Sequence, residues 1–414
     1  MPAKQAGRAG GPVRSGARRR TQPARARDLS FLAGRLREVG YTPEGLRRLL
    51  HITFPDDVGL LNRAPALERL GDERSATATA IRLFFLEDTE TYRDVVTVLS
   101  CRCCDDLVAT GLLQRRGDAV RARVRIDPVG CQYFISDRRF HRAERRALRL
   151  PAGDPVYPPS SDSLILRDAI PAFPARHVLD LCAGSGVQGL QLAGDAERVV
   201  AVDINPRAVA VARLNARLNR AGNFEACVGD LYAPLRREQF DLVIANPPFV
   251  ASPYTRAPSY HPGGLRGDRI LRRVLAGLAR HLRAGGLACA ISHLALRAGE
   301  DASVAARRWF RHFPGRALVL VLETGTAIDL AAAQSLFALD RGLAAYAAEV
   351  RRWVRYLRQH HVSTVVLLLI VAQRSGRPGL EVTAAPQRML PIPLSPPPAQ
   401  QIAAWLGSTP RPDM

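Results

Sequence analysis

The stretch Asp241-Leu242-Val243-Ile244-Ala245-Asn246-Pro247-Pro248-Phe249 has the residue types for handling a planar nitrogen. Its apolar, β-branched run reads as a strand buried on both faces. Two consecutive prolines then remove backbone donors and fix φ, so the loop that follows holds one shape. In that shape the side-chain oxygen of Asn246 and the carbonyl of Pro247 are two acceptors for the two hydrogens of an NH2 group. The ring of Phe249 supplies a flat face for its plane. The chemistry this suits is transfer of a group to an amide or aniline-like nitrogen. Such a lone pair is delocalised, and fixing both hydrogens aims it and favours charge developing on nitrogen.

A second stretch supplies the other half of a site. Asp180-Leu181-Cys182-Ala183-Gly184-Ser185-Gly186-Val187-Gln188-Gly189 carries glycines at the GxGxxG spacing, directly after an apolar run. These permit a tight turn and let a ligand lie against backbone N–H groups where a helix begins. Asp203 closes the next apolar run, followed by Ile204, and is placed to accept from two ribose hydroxyls. Asp230 closes the third, placed for an adenine amino group with Leu231 against the ring. A nicotinamide enzyme would share the glycines and Asp203. It would not need Asn246 and the two prolines, and no His or Lys is placed as a carbonyl proton donor.

These pieces must be held by strands and helices in alternation. Val178–Leu181, Val199–Asp203, Glu225–Val228, Asp241–Ala245, Leu287–Ser292, Leu318–Leu322 and Val362–Ala372 read as strands. Helical stretches such as 206–220 and 343–359 separate them, which gives an α/β fold with helices on both faces of the sheet. Ahead of it, residues 28–150 read as a smaller, mainly helical, winged-helix-like domain. Thr42-Pro43 starts one helix, 76–85 forms another, and Tyr92–Leu99 and Asp105–Thr110 form a helix-turn-helix. The alternation Val120 to Ile126 reads as a wing strand with Arg121, Arg123 and Arg125 on its exposed face. The α/β unit spans 151–374, opened by a proline-rich linker. Residues 1–27 read as a disordered basic tail and 375–414 as a Pro-rich C-terminal tail with a short helix near its end.

Net charge is +21, and Met1 to Arg27 holds eight cations and no acid, leaving +13 for the rest. That excess suits an acidic partner such as RNA or DNA, although a near-absence of lysine also marks general arginine bias. The acidic Asp105-Asp106 at the position of a reading helix argues equally for protein docking. Seven cysteines in a long chain with no paired spacing read as reduced, cytoplasmic thiols rather than disulfides or a metal site. No apolar run reaches the length of a membrane span.

Taken together, the Asp180–Gly189 loop, Asp203, Asp230 and the Asn-Pro-Pro-Phe loop resemble the motifs of class I S-adenosylmethionine-dependent methyltransferases that modify planar nitrogen. Val156 to Ser163 and the double-glycine segment Pro262 to Asp268, followed by Arg272 or Arg273, look like the HemK/PrmC glutamine methyltransferases in particular. The resemblance implies a Rossmann-like seven-stranded domain with S-adenosylmethionine as cofactor. Its contacts would be Asp180, Cys182, Gly184, Gly186, Asp203, Ile204, Asp230 and Leu231. Asn246, Pro247 and Phe249 would be the catalytic residues, and Tyr254, Tyr260, His261 and Asp162 candidates near the acceptor. The acceptor implied is a glutamine side chain of a release-factor-like protein. A nucleobase amine in rRNA, tRNA or DNA is the alternative, and a non-catalytic adaptor a third reading. Two departures stand out: HemK/PrmC loops usually end in Tyr rather than Phe, and the N-terminal pattern is not the PrmC helical bundle.

Overall fold

A computed structural model describes residues 29–59, 61–140, 154–254, 263–384 and 398–407. The N-terminal tail, Tyr260 and His261 therefore lie outside the described residues. Helices in the first part include Ser30–Glu38, Pro43–Leu50, Arg63–Leu70, Tyr92–Leu99 and Cys101–Thr110. Thr42 caps the second of these through the Gly45 N–H, as its sequence signals. Strands β1 (Thr89–Thr91), β2 (Leu113–Arg116) and β3 (Ala119–Ala122) form a small antiparallel sheet in the order β1-β3-β2. Helices Tyr92–Leu99 and Cys101–Thr110 fall between β1 and β2 in the chain.

The wing differs from expectation in one respect. The alternation from Val120 does not run on as a single strand: β3 ends at Ala122, and β4 (Arg125–Val129) pairs with β5 (Gln132–Ser136) in a separate hairpin. Arg125, expected on an exposed face, is fully buried. Asp127 lies two residues on, hence on the same face of the strand, and accepts from Arg125 Nε at 2.9 Å. The guanidinium also donates to the Phe85 carbonyl at 2.6 Å and lies over the Phe85 ring. Neutralised in this way, the charge can be buried.

The hairpin fastens the first part to the second. Asn215 on helix Pro206–Leu218 and Asn219, the residue that caps its C-terminus, are i, i+4 and share a face. Asn215 Oδ1 accepts from Ile135 N–H at 2.8 Å and its Nδ2 donates to Ile135 C=O at 3.0 Å. Asn219 repeats the pattern on Tyr133 at 2.9 and 2.8 Å. Two side-chain amides thus satisfy the outer edge of β5 as a neighbouring strand would. A buried Arg207–Asp137 ion pair lies beside them.

The large sheet comprises β6 (His177–Leu181), β7 (Arg198–Asp203), β8 (Phe224–Val228), β9 (Phe240–Ala245), β10 (Leu282–Arg297), β11 (Arg316–Thr326), β12 (Val362–Gln373) and β13 (Gly379–Ala384). Its order is β13-β11-β12-β10-β9-β6-β7-β8, with β12 antiparallel to both neighbours. The seven expected strands are present. An eighth, β13, comes from the segment read as a Pro-rich C-terminal tail and pairs parallel to β11 at the edge. Helix Pro398–Leu406 follows, with Ile402 buried in the core. Alternate side chains go to opposite faces: Leu242 and Ile244 pack under helices 161–169, 187–192 and 206–218, while Val243 and Ala245 pack under helices 269–281 and 302–310. No helix among the described residues is long and apolar enough to cross a membrane.

Strand order reverses between β6 and β9, so the carboxyl ends of β6, β7, β8 and β9 open onto one crevice. Between β11 and β12 the chain inserts helices Ala327–Ser335 and Leu343–Gln359. Trp353 and Leu357 of the second pack against Val250 and Ala251, just beyond the Asn246 loop.

Candidate active site

A cleft of about 750 Å³ lies at those strand ends, a size suited to a cofactor with an acceptor group beside it. Every residue assigned from sequence to the cofactor or to catalysis lines it except Gly186. At its donor end β6 runs into a loop where Cys182, Gly184 and Gly186 all have left-handed backbones, with φ of 59°, 54° and 81°. Helix Val187–Leu192 starts there with Gly186 as its N-cap. A Cβ on Gly186 would sit 3.1 Å from Phe224, which explains both the glycine and its place beneath the cleft. A Cβ on Gly184 would meet nothing within 4 Å, because that side faces open space.

Asp180 is buried and its Oδ2 accepts from Gly189 N–H at 2.9 Å, bracing the loop from below. A Cβ at Gly189 would come within 3.0 Å of that oxygen. Burial pushes the Asp180 carboxyl up to about 7, a rise that the Gly189 N–H opposes and the nearby Asp203 charge adds to. Asp203 accepts from Gly184 N–H and from Asn205 N–H, each at 2.8 Å, and burial raises its carboxyl too. Each of its oxygens keeps a further lone pair for a hydroxyl. Ile204, next to it, is 58% exposed and offers an apolar face. Asp230 receives Arg273 Nη2 at 2.8 Å, and Leu231 turns at φ 53° to bury its side chain beside it. Diol acceptors, an apolar face and a glycine turn fit the ribose, adenine and methionyl parts of S-adenosylmethionine.

The acceptor end is built around Asn246. Its Nδ2 donates to Asp162 Oδ2 at 2.7 Å, while Asp162 Oδ1 receives the Ser160 hydroxyl. A carboxylate only accepts, so the contact fixes which way the Asn246 amide is turned. The nitrogen is committed to Asp162, and Oδ1 is left as an acceptor. Phe249 packs on His293, with ring centroids 4.5 Å apart. The double-glycine segment lies under this loop. Gly263 N–H donates to Val250 C=O at 3.0 Å, and a Cβ at Gly267 would come 2.3 Å from the Phe249 carbonyl oxygen. Larger residues there would push Phe249 out of place.

Asp162 thus lines the cleft beside Asn246. Tyr254 does not line the cleft: its hydroxyl donates to the buried Glu349, which also accepts from Trp353 Nε1 at 3.0 Å. That tyrosine anchors the inserted helix instead. Two residues, His293 and Asp56, escaped the sequence reading, and Arg273 was read only as one of two arginines that follow the double-glycine segment. His293 lies where β10 passes the cleft, its Nδ1 buried with no partner and its ring held neutral by burial, against a smaller opposing pull from Asp162. A polar residue interrupting the apolar run Ala288 to Leu296 was the available signal. Arg273 is one of two adjacent arginines, and its spacing did not single it out. Asp56 lines the cleft from the N-terminal part, and nothing in the sequence links it to a site 100 residues away.

Comparison with known proteins agrees with this geometry. The methyltransferase small domain model matches residues 161–291, and a domain of unknown function (DUF7059) matches residues 38–123. A putative protein N5-glutamine methyltransferase of Methanocaldococcus jannaschii is 32% identical over 150 residues, 35% of this chain and 75% of the relative. A release factor glutamine methyltransferase of Thermodesulfovibrio yellowstonii is 26% identical, across 44% of this chain and 72% of the relative. A tRNA1(Val) (adenine(37)-N6)-methyltransferase of Klebsiella pneumoniae is 37% identical over 97 residues, 22% of this chain and 40% of the relative. Cofactor cleft, strand order and relatives converge: the chain belongs to the HemK/PrmC-like class I S-adenosylmethionine-dependent methyltransferases.

Proposed function

We propose that the protein methylates the side-chain amide nitrogen of a glutamine in a cytosolic protein of the translation apparatus. The observation that carries this reading is the Asn246 carboxamide, turned by Asp162 so that its oxygen is available to an incoming N–H. Beside it, the glycines at 263 and 267 hold the Phe249 backbone, as the resemblance to glutamine methyltransferases leads one to expect. The relatives from Methanocaldococcus and Thermodesulfovibrio support the same class of acceptor.

On this reading Asn246 Oδ1 and the Pro247 carbonyl each accept one hydrogen of the acceptor NH2, and Phe249 packs on its plane. Asp203, Ile204, Asp230, Leu231 and the Cys182–Gly186 turn hold S-adenosylmethionine, which supplies an electrophilic methyl. Asp180 acts from beneath by bracing the turn. The two acceptors restrain rotation of the amide, so its lone pair points across the cleft, and positive charge growing on nitrogen strengthens both hydrogen bonds. The surplus proton then leaves readily without a dedicated base. Tritiated S-adenosylmethionine incubated with separated cell protein and RNA tests the proposal, with mass spectrometry locating the mark. Label in a glutamine of one protein is expected; label confined to RNA refutes it. The adenine-modifying Klebsiella relative and the arginine excess favour that second outcome over any small-molecule acceptor.

A further inference from the structure

The N-terminal part, most of it matched by a domain of unknown function, enters the cleft through Asp56. Its Oδ1 accepts from the Ser161 backbone N–H at 3.0 Å, and its Oδ2 from the Ser161 hydroxyl at 2.8 Å. Ser161 is the first residue of helix Ser161–Ala169. The first N–H groups of a helix have no partner inside it, and the preceding residue normally supplies a side-chain oxygen. Here that residue, Ser160, makes no capping bond; its hydroxyl is spent on Asp162. The cap comes instead from across the domain junction.

The turn that carries Asp56, Pro55–Asp57, is stiffened from within. Asp57 Oδ2 accepts from the Thr53 and Phe54 N–H groups at 2.7 and 2.8 Å, and its carbonyl receives Asn62 Nδ2 at 2.9 Å. The next residue of the capped helix after Ser161 is Asp162, the partner of Asn246. A continuous path therefore runs from Asp56 through Ser161 and Asp162 to Asn246. We infer that Asp56 is a positioning residue for methyl transfer: by capping the Ser161–Ala169 helix from the N-terminal domain, it sets Asp162 and so the direction of the Asn246 oxygen. This gives the N-terminal domain a part in the reaction. It rests on the assignment of Asn246 as the acceptor's anchor.

The test uses the full chain with Asp56→Ala, Asp56→Asn, Asp162→Asn and the Asp56→Ala/Asp162→Asn pair. Tritiated S-adenosylmethionine and a purified release factor report methyl transfer, and calorimetry reports donor affinity. Asp56→Ala is expected to lower kcat about 10-fold, the effect of a lost cap passed to the transition state, with donor affinity unchanged. Asp56→Asn, whose Oδ1 still accepts the Ser161 N–H, recovers most of the rate. The pair is no slower than Asp162→Asn alone, because both changes act through one contact. Multiplying effects, or an unchanged kcat in Asp56→Ala, would overturn the inference. If the unaltered protein methylates no release factor, the acceptor assignment fails on its own. Hydrogen exchange with bound S-adenosylmethionine then decides: Asp56→Ala should speed exchange about 10-fold in residues 161–169 alone, and unchanged protection there refutes the role of Asp56.

Discussion

Replacing Asn246 by Asp keeps the shape of the side chain and the Oδ1 acceptor but removes the donor that meets Asp162. Two carboxyl groups then face each other across the 2.7 Å now bridged by an N–H. At a separation of about 4 Å and an effective dielectric of 20, like unit charges repel by about 4 kcal/mol. That is enough to hold one proton on the pair up to about neutral pH. Below that point the shared proton restores one hydrogen bond and leaves an oxygen facing the acceptor; above it the carboxyl groups part and the aim is lost. Losing one oriented polar contact to the reacting group typically costs 10²–10³ in kcat, so we expect a loss of about 100-fold at pH 8.5 that shrinks about 10-fold by pH 6. Steady-state transfer of tritium to the acceptor across this pH range, with donor affinity measured in parallel, provides the assay. A loss independent of pH, or full activity at pH 8.5, would show that Asp162 does not orient residue 246.

Other outcomes follow from the same structure. The Asp180 carboxyl is raised to about 7 in the folded protein, so between its usual value near 4 and 7 the native state holds more protons than the unfolded chain. Stability without cofactor should therefore fall as pH rises through that window, by up to about 1.4 kcal/mol per pH unit, and Asp180→Asn should flatten the dependence in thermal melts. Gly267→Ala forces a side chain onto φ 82° and against the Phe249 carbonyl; kcat should drop at least about 10-fold with donor affinity kept, which calorimetry and kinetics would check. His293→Leu removes a buried nitrogen that has no partner while keeping bulk against Phe249, so urea denaturation should show a gain of about 1 kcal/mol. A loss would mean that the nitrogen is satisfied in solution. Asn215→Ala strips the Ile135 backbone and the Ser185 carbonyl of partners and should cost about 3 kcal/mol in the same assay.

The methyl-transfer domain was legible because its signals are local. Each short β-branched run gave a strand, and the polar residues at or near the ends of three of them, Asp180, Asp203 and Asn246, line the cleft. The parts that escaped depend on distant partners. Arg125 looks like an exposed wing cation until Asp127 and Phe85 are seen closing around it. β13 has no pattern strong enough to stand apart from its prolines and exists because the β11 edge receives it. Tyr254 had the composition of a pocket residue, yet a buried glutamate on the inserted helix claims its hydroxyl. Asp56 reaches the site only by tertiary contact, which no spacing along the chain encodes.

The paired asparagines of helix 206–218 and its C-cap have a consequence for any attempt to dissect the chain. A fragment beginning at the proline-rich linker would keep the whole large sheet and the cofactor crevice, so by architecture it looks self-sufficient. It would also carry Asn215 and Asn219 with the β5 backbone stripped away, and Arg207 without its carboxylate. An amide pair shaped to continue a strand is an invitation to any other unpaired edge. Such a fragment should self-associate or precipitate, and the enzyme is better regarded as indivisible at that seam.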